Sequence, residues 1–280
     1  MDILMGGIAF GESPRWHDGR VWVSDWGAGR VHSVSADGTA TVEAEVASFP
    51  LCFDFLPDGR LLLVSSADRK VLRREEDGSL VTHADLAPVS TKPWNDVVVD
   101  DRGNAYVNNI GFALGKENSP DGDYAPGIVV LVTPGGAVAP VADGLAFPNG
   151  MAVTADGTTL VVAESYAEQL TAFTIAAEGN LTDRRVWAPT PGDHPDGICI
   201  DATGAVWYAD VANGHCIGVA EGGEVLGKVE FDRGAFACVL SRDDDPQLFV
   251  VGQNFGADGG DEPSGRLASF PAPSPGAGHP

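Results

Sequence analysis

The stretch Phe147-Pro148-Asn149-Gly150-Met151-Ala152-Val153 sets a polar residue at the mouth of a short apolar run, which ends at the turn Asp156-Gly157. The same design recurs at Asn95-Asp96-Val97-Val98-Val99 before Arg102-Gly103, and at Asp196-Gly197-Ile198-Cys199-Ile200 before Thr203-Gly204. Near the N-terminus it reads Glu12-Ser13-Pro14-Arg15-Trp16 before Asp18-Gly19. Two further, less polar units start near Leu51 and near Ala235 or Phe236. The turn glycines at 19, 59, 103, 157 and 204 recur about every 46 residues, a period that marks a propeller blade of several short strands. Short runs rich in β-branched residues between glycine turns favour strands, and no long helical periodicity competes. The expected fold is therefore all-β, a six-bladed β-propeller with four-stranded blades. Residues 1–270 would form one propeller domain, followed by a frayed Pro-rich tail at 271–280. The sixth unit lacks an outer strand of its own, and a strand around Ile3–Met5 is expected to supply it and close the ring.

Composition narrows the function. The 280 residues carry a net charge of −23, which opposes binding to nucleic acid or to an anionic membrane. No run of about 18 apolar residues offers a membrane span. The N-terminus lacks the basic start and long apolar core of an export signal, and the four cysteines form no C-x-x-C pair. A cytoplasmic protein acting on a small molecule is the expectation, with no indication of oligomeric state. Two insertions interrupt the repeat, Gly111–Gly127 with Phe112 and Tyr124, and Gly256–Gly265. Long loops of this kind often serve as lids.

In a propeller the first strand of each blade lines the axis, so equivalent positions in successive repeats face one another. Glu12, Asn95, Asn149 and Asp196 each sit at the mouth of such a strand and are expected to converge. Two carboxylates at close range are costly unless a cation or a proton lies between them. Two carboxylates with two amides offer hard oxygen ligands whose charge matches one divalent ion, Ca²⁺ first, with Mg²⁺, Mn²⁺ or Zn²⁺ as alternatives. Trp16, Trp94, Phe112, Phe147, Tyr166 and His194 lie near strand mouths and are candidate pocket walls. Trp22, Trp207 and Phe249 lie within second strands and are expected between blades.

The segments Gly11-Glu12-Ser13-Pro14-Arg15-Trp16, Asn95-Asp96, Phe147-Pro148-Asn149-Gly150 and Pro195-Asp196-Gly197-Ile198-Cys199-Ile200-Asp201 together resemble the gluconolactonase/regucalcin (senescence marker protein) family. The resemblance runs from about Gly7 to Phe270. It implies a six-bladed propeller with a catalytic divalent cation, often calcium, and kinship with diisopropyl fluorophosphatase, the paraoxonases and strictosidine-synthase-like enzymes. It implies that Glu12, Asn149 and Asp196 bind the metal, that Asn95 contacts substrate and metal, and that Asp196 is base or nucleophile. The chain departs from the sugar-lactone enzymes two residues before Asn95, where Pro93 and then Trp94 replace a cationic residue. That favours a less polar substrate. The expected activity is metal-dependent hydrolysis of a lactone or related ester. The rivals are a non-hydrolytic cyclase or condensing enzyme of the strictosidine-synthase-like type and a non-catalytic binding propeller.

Overall fold

Short runs of β-branched and aromatic residues separated by glycine-bearing turns become strands here, because each is half of an antiparallel pair whose turn needs a residue at positive φ. Gly59, Gly103, Gly157 and Gly204 supply that conformation, with φ between 67° and 86°. The computed structural model describes residues 1–112, 125–254 and 263–280. Its 24 strands form six antiparallel sheets of four, and one 3₁₀ turn at Ser165–Ala167 is the only helical element among the described residues.

The inner strands are Gly11–His17, Leu51–Phe55, Trp94–Val99, Pro148–Val153, Pro195–Ile200 and Gly234–Leu240. Each contacts the next in this order, and the last contacts the first, so they line a closed six-bladed ring. The second strands follow as Arg20–Asp25, Leu61–Ser65, Ala105–Asn109, Thr159–Glu164, Val206–Asp210 and Gln247–Gln253. The ring closes as expected: Asp2–Ile8 pairs antiparallel with Gly265–Pro271 and becomes the outer strand of blade six.

Six apolar clusters fill the six seams between blades. Trp94, Cys52 and Leu62 pack between blades two and three, and Trp207, Cys199 and Cys238 between five and six. Trp22 and Phe249 lie in the seams that flank blade one, the former only partly buried. All four cysteines are free and buried. Burying one large apolar side chain is worth roughly 1.5–3 kcal/mol, so the seams hold the ring together.

The C-terminal segment departs from the frayed tail that its composition suggested. Ala277 N–H donates to Ile200 O at 2.9 Å, and Val153 and His279 exchange two backbone bonds of 2.6 and 2.8 Å. His279 Nε2 lies 3.0 Å from Asp101 Oδ1. The tail thus straps the far ends of the inner strands, opposite the mouth that carries the polar residues. The expected lid residue Tyr124 and most of the second insertion lie outside the described residues.

Candidate metal centre

Register explains why four distant residues meet. Gly11 pairs with Asp25, Trp94 with Asn109, Pro148 with Glu164 and Pro195 with Asp210. The next residue in each inner strand is Glu12, Asn95, Asn149 or Asp196, and in each blade the register then slips before pairing resumes. Such a bulge re-aims a side chain. Blade two runs Leu51–Phe55 with no slip, and its register places Cys52 rather than Leu51 at the ring position. Blade six has Ala235 there.

The partner residues on the second strands fasten the rim. Asp25 accepts from Ala9 N–H and Phe10 N–H at 3.0 and 2.9 Å. Glu164 accepts from Ala146 N–H at 2.7 Å, and Asp210 from His194 N–H at 2.7 Å. Asn109 donates to Lys92 O at 2.7 Å. Each bond ties the loop entering an inner strand to the blade that carries it. The position is legible when the repeats are aligned, as a polar residue ending every second strand, yet residue-by-residue inspection passes over it. Close packing helps as well. A Cβ on Gly150 would come within 2.6 Å of Asp196 O and Ile198 N, so only glycine lets these neighbouring strands approach.

The structure brings all four predicted ligands together, each buried. Asn95 Nδ2 donates to Asn149 Oδ1 at 2.9 Å, and Asn149 Nδ2 donates to Ser165 Oγ at 3.3 Å. Glu12 Oε2 accepts from Ser13 N–H at 3.1 Å. Ser13 and Phe147 hold φ of 49° and 57°, a left-handed conformation that is strained for a bulky residue and clusters at functional sites. Burial first, then the negative charge of Asp196, raises the Glu12 carboxyl well above its ordinary range. Burial first, then Asp96 and Asp210, raises Asp196 likewise. Asp196 Oδ1 is buried with no hydrogen-bond partner. Glu12, Asn95 and Asn149 line a central cavity of about 10 Å³, room for one water-sized particle.

Beneath the ring lies a polar floor that motif reading did not reveal. Arg15 Nη2 donates to Asp96 Oδ1 at 3.1 Å and to Val97 O at 2.6 Å, and Arg15 Nε stands 3.6 Å from Asp54 Oδ1. Asp96 Oδ2 accepts from Met151 N–H, and Asp54 Oδ2 from Val99 N–H. Asn108 bridges two neighbouring inner strands, as its Nδ2 donates to Asn149 O while its Oδ1 accepts from Asp96 N–H. The arginine therefore plugs the axis and cannot reach upward into the mouth.

The proposed walls divide. Phe112, Phe147 and Tyr166 form one aromatic cluster, with Phe112 stacked on Tyr166 at 5.8 Å and Phe147 edge-on to both at 5.0 Å. His194 is exposed, its Nδ1 2.9 Å from Ser165 O. Trp94 and Trp16 are not walls. Trp94 is wholly enclosed between blades two and three because its strand turns that face into the seam. Trp16 stacks on Phe249 at 5.5 Å, in the seam between blades one and six.

A second group of potential ligands was not foreseen. Asp193, Asp210 and His215 of blade five bring one ligand atom each within 4.8 Å of the others. Their oxygens are already engaged. Asp193 Oδ2 accepts from Tyr208 O–H at 2.7 Å with His215 Nε2 3.0 Å away, Asp193 Oδ1 accepts from Asn213 Nδ2 at 2.9 Å, and Asp210 Oδ1 accepts from Asn213 N–H at 2.7 Å.

Residues 10–254 match the model of the SMP-30/gluconolactonase/LRE-like region. The chain belongs to this family. The pentonolactonase XacC of Haloferax volcanii is 26% identical over 268 residues, covering 92% of this chain and 88% of that protein. A solved gluconolactonase of Xanthomonas campestris is 25% identical and superposes with a TM-score of 0.76, covering 96% of this chain and 89% of its own. The calcium-binding protein regucalcin of Agrobacterium tumefaciens superposes at 0.78 with 18% identity, over 99% of this chain and 94% of its own, and shows the shared fold. No described helix is long and apolar enough to cross a membrane.

Proposed function

We propose that this family member hydrolyses a lactone or related ester with the help of one divalent cation, Ca²⁺ by preference, held by Glu12, Asn95, Asn149 and Asp196. The observation that carries the proposal is the buried, unpartnered Oδ1 of Asp196 beside a second buried carboxylate. Leaving such an atom without a partner costs on the order of 1–3 kcal/mol or more, and two facing carboxylates add repulsion. A hard cation relieves both, and two carboxylates with two amides are the donor set that suits one. The pentonolactonase and gluconolactonase relatives supply the reaction class.

When bound, the cation would polarise the carbonyl oxygen as a Lewis acid. The protein's own residues do the rest. Asn95 and Asn149, fixed to each other, hold the donor oxygens in place without adding charge. Asp196 takes the proton from the attacking water or attacks the carbonyl carbon itself. Arg15 stays with Asp96 and Asp54 and keeps the floor rigid. Substrate enters from the mouth, since the tail straps the opposite end. The four free cysteines are in keeping with a reducing compartment such as the cytoplasm.

The test pairs two measurements. Thermal melts in EDTA and then with excess Ca²⁺ should show a clear rise with the metal, and a panel of lactones and aryl esters should show Ca²⁺-dependent hydrolysis. No metal response would favour the strictosidine-synthase-like or binding-propeller alternatives.

A further inference from the structure

Two aromatic walls face each other across the mouth. Beside the cluster of Phe112, Phe147 and Tyr166 stands another that sequence inspection did not single out. Phe10 stacks on Trp26 at 5.3 Å and meets Phe49 and Phe236 edge-on at 5.2 Å each. Its members come from the loops around blades one and two and from the start of the inner strand of blade six. The first cluster comes from the loops of blades three and four. In a ring of six, blade four lies opposite blade one. Antiparallel pairing puts the start of an inner strand and the end of a second strand at one rim, so both walls rise on the same side as the polar ring.

The walls bound the site itself. Trp26 lines the same small cavity as Glu12, Asn95 and Asn149. Above it Phe49 is 49% exposed, and Phe10, Phe147 and Tyr166 are half-buried. Aromatic surface left open at a mouth, around a few convergent polar groups, is the build of a pocket for a largely apolar ligand. Among the described residues, the one cation lining the central cavity is Arg15, which is committed to Asp96 and Asp54.

From these observations we infer that the substrate is a lactone or ester carrying an alkyl or aryl body, gripped between the two aromatic walls, rather than a polyhydroxylated sugar lactone. The inference rests on the lactonase function proposed above and names its substrate class. The carbonyl points down to the ring and the apolar body spans the walls.

Initial rates with saturating Ca²⁺ would be measured for an unsubstituted δ-lactone, a long-chain alkyl δ-lactone and an aldonolactone. The alkyl compound should exceed the aldonolactone in kcat/KM by about tenfold or more, since each buried methylene favours binding by roughly fourfold. Phe49→Ala, at a position 49% exposed, should raise KM for the alkyl lactone, with kcat little altered and a penalty that grows with chain length. A preference for the aldonolactone, or a penalty equal for all three compounds, would overturn the inference. If none is hydrolysed, lactone hydrolysis is not this chain's reaction. Calorimetry with an alkyl δ-lactam and its polyhydroxylated counterpart then decides the pocket's character. Tighter binding of the alkyl lactam upholds the apolar pocket; tighter binding of the polyol, or of neither, rejects it.

Discussion

Two carboxylate groups lie close together in this propeller, and they have opposite characters. In blade five, Asp193 and Asp210 sit with His215, and hydrogen-bond donors from Tyr208, Asn213 and the His194 backbone occupy their oxygens. On the axis, Glu12 and Asp196 come from different blades. Glu12 accepts one backbone bond, and Asp196 keeps a buried oxygen with no partner. Proximity alone does not distinguish a ligand cage from a structural network. Unsatisfied lone pairs do, because a saturated carboxylate must give up existing bonds before it takes a cation. The blade-five network also has a task of its own: it anchors the loop that delivers Asp196.

The sharpest way to break this contrast is to remove one carboxylate from each group. Asp196→Asn should lower turnover on the order of 10³-fold or more and abolish the thermal shift with Ca²⁺. Asp193→Asn should keep that shift. The reverse pattern would move the metal to blade five. The next effect is on the floor. Arg15→Leu leaves Asp54 and Asp96 buried without their cation and should cost roughly 3–5 kcal/mol in urea denaturation. A loss below about 1 kcal/mol would mean the floor is not held by that charge. Smaller again, His215→Ala should cost about 1–3 kcal/mol by stripping a partner from Asp193, with the Ca²⁺ response intact.

The axis was legible in the sequence because a propeller turns a linear period into a circle. Four polar residues at one repeat position must meet if the count of blades is right, and Glu12, Asn95, Asn149 and Asp196 do. The closing strand was legible for the same reason, since a ring of six blades had one outer strand missing. Trp94 misled because a residue's place at a strand mouth says nothing of which face it turns, and the neighbouring bulge rotates Asn95 to the axis while Trp94 stays in the seam. Phe10, Trp26, Phe49 and Phe236 were hidden because no shared repeat position links them; they meet through loop geometry. The Pro-rich composition of the tail suggests fraying, and composition cannot show that Val153 and Ile200 leave backbone groups open for it.

The smallest expected effect tests the electrostatics of the ring directly. Glu12 and Asp196 both bind their protons more tightly in the folded state than in the unfolded chain. Between the ordinary carboxyl range, roughly 4, and the raised folded values, the native state therefore carries more protons, and stability falls as pH rises. In EDTA, the wild-type protein should lose stability on going from about pH 5 to pH 8 relative to Asp196→Asn, which removes one of the two charges. His32 and His83 act in the other sense. Burial lowers both, so each adds stability above the ordinary histidine range, near pH 6.5, that is lost as pH falls. They are common to both proteins and cancel in the difference. Saturating Ca²⁺ should flatten the wild-type slope, since a bound cation stabilises the ionised pair, and proton release should accompany binding. A wild-type curve parallel to that of Asp196→Asn throughout this window, with or without Ca²⁺, would show that the two carboxylates do not feel each other, and the contrast with blade five would vanish.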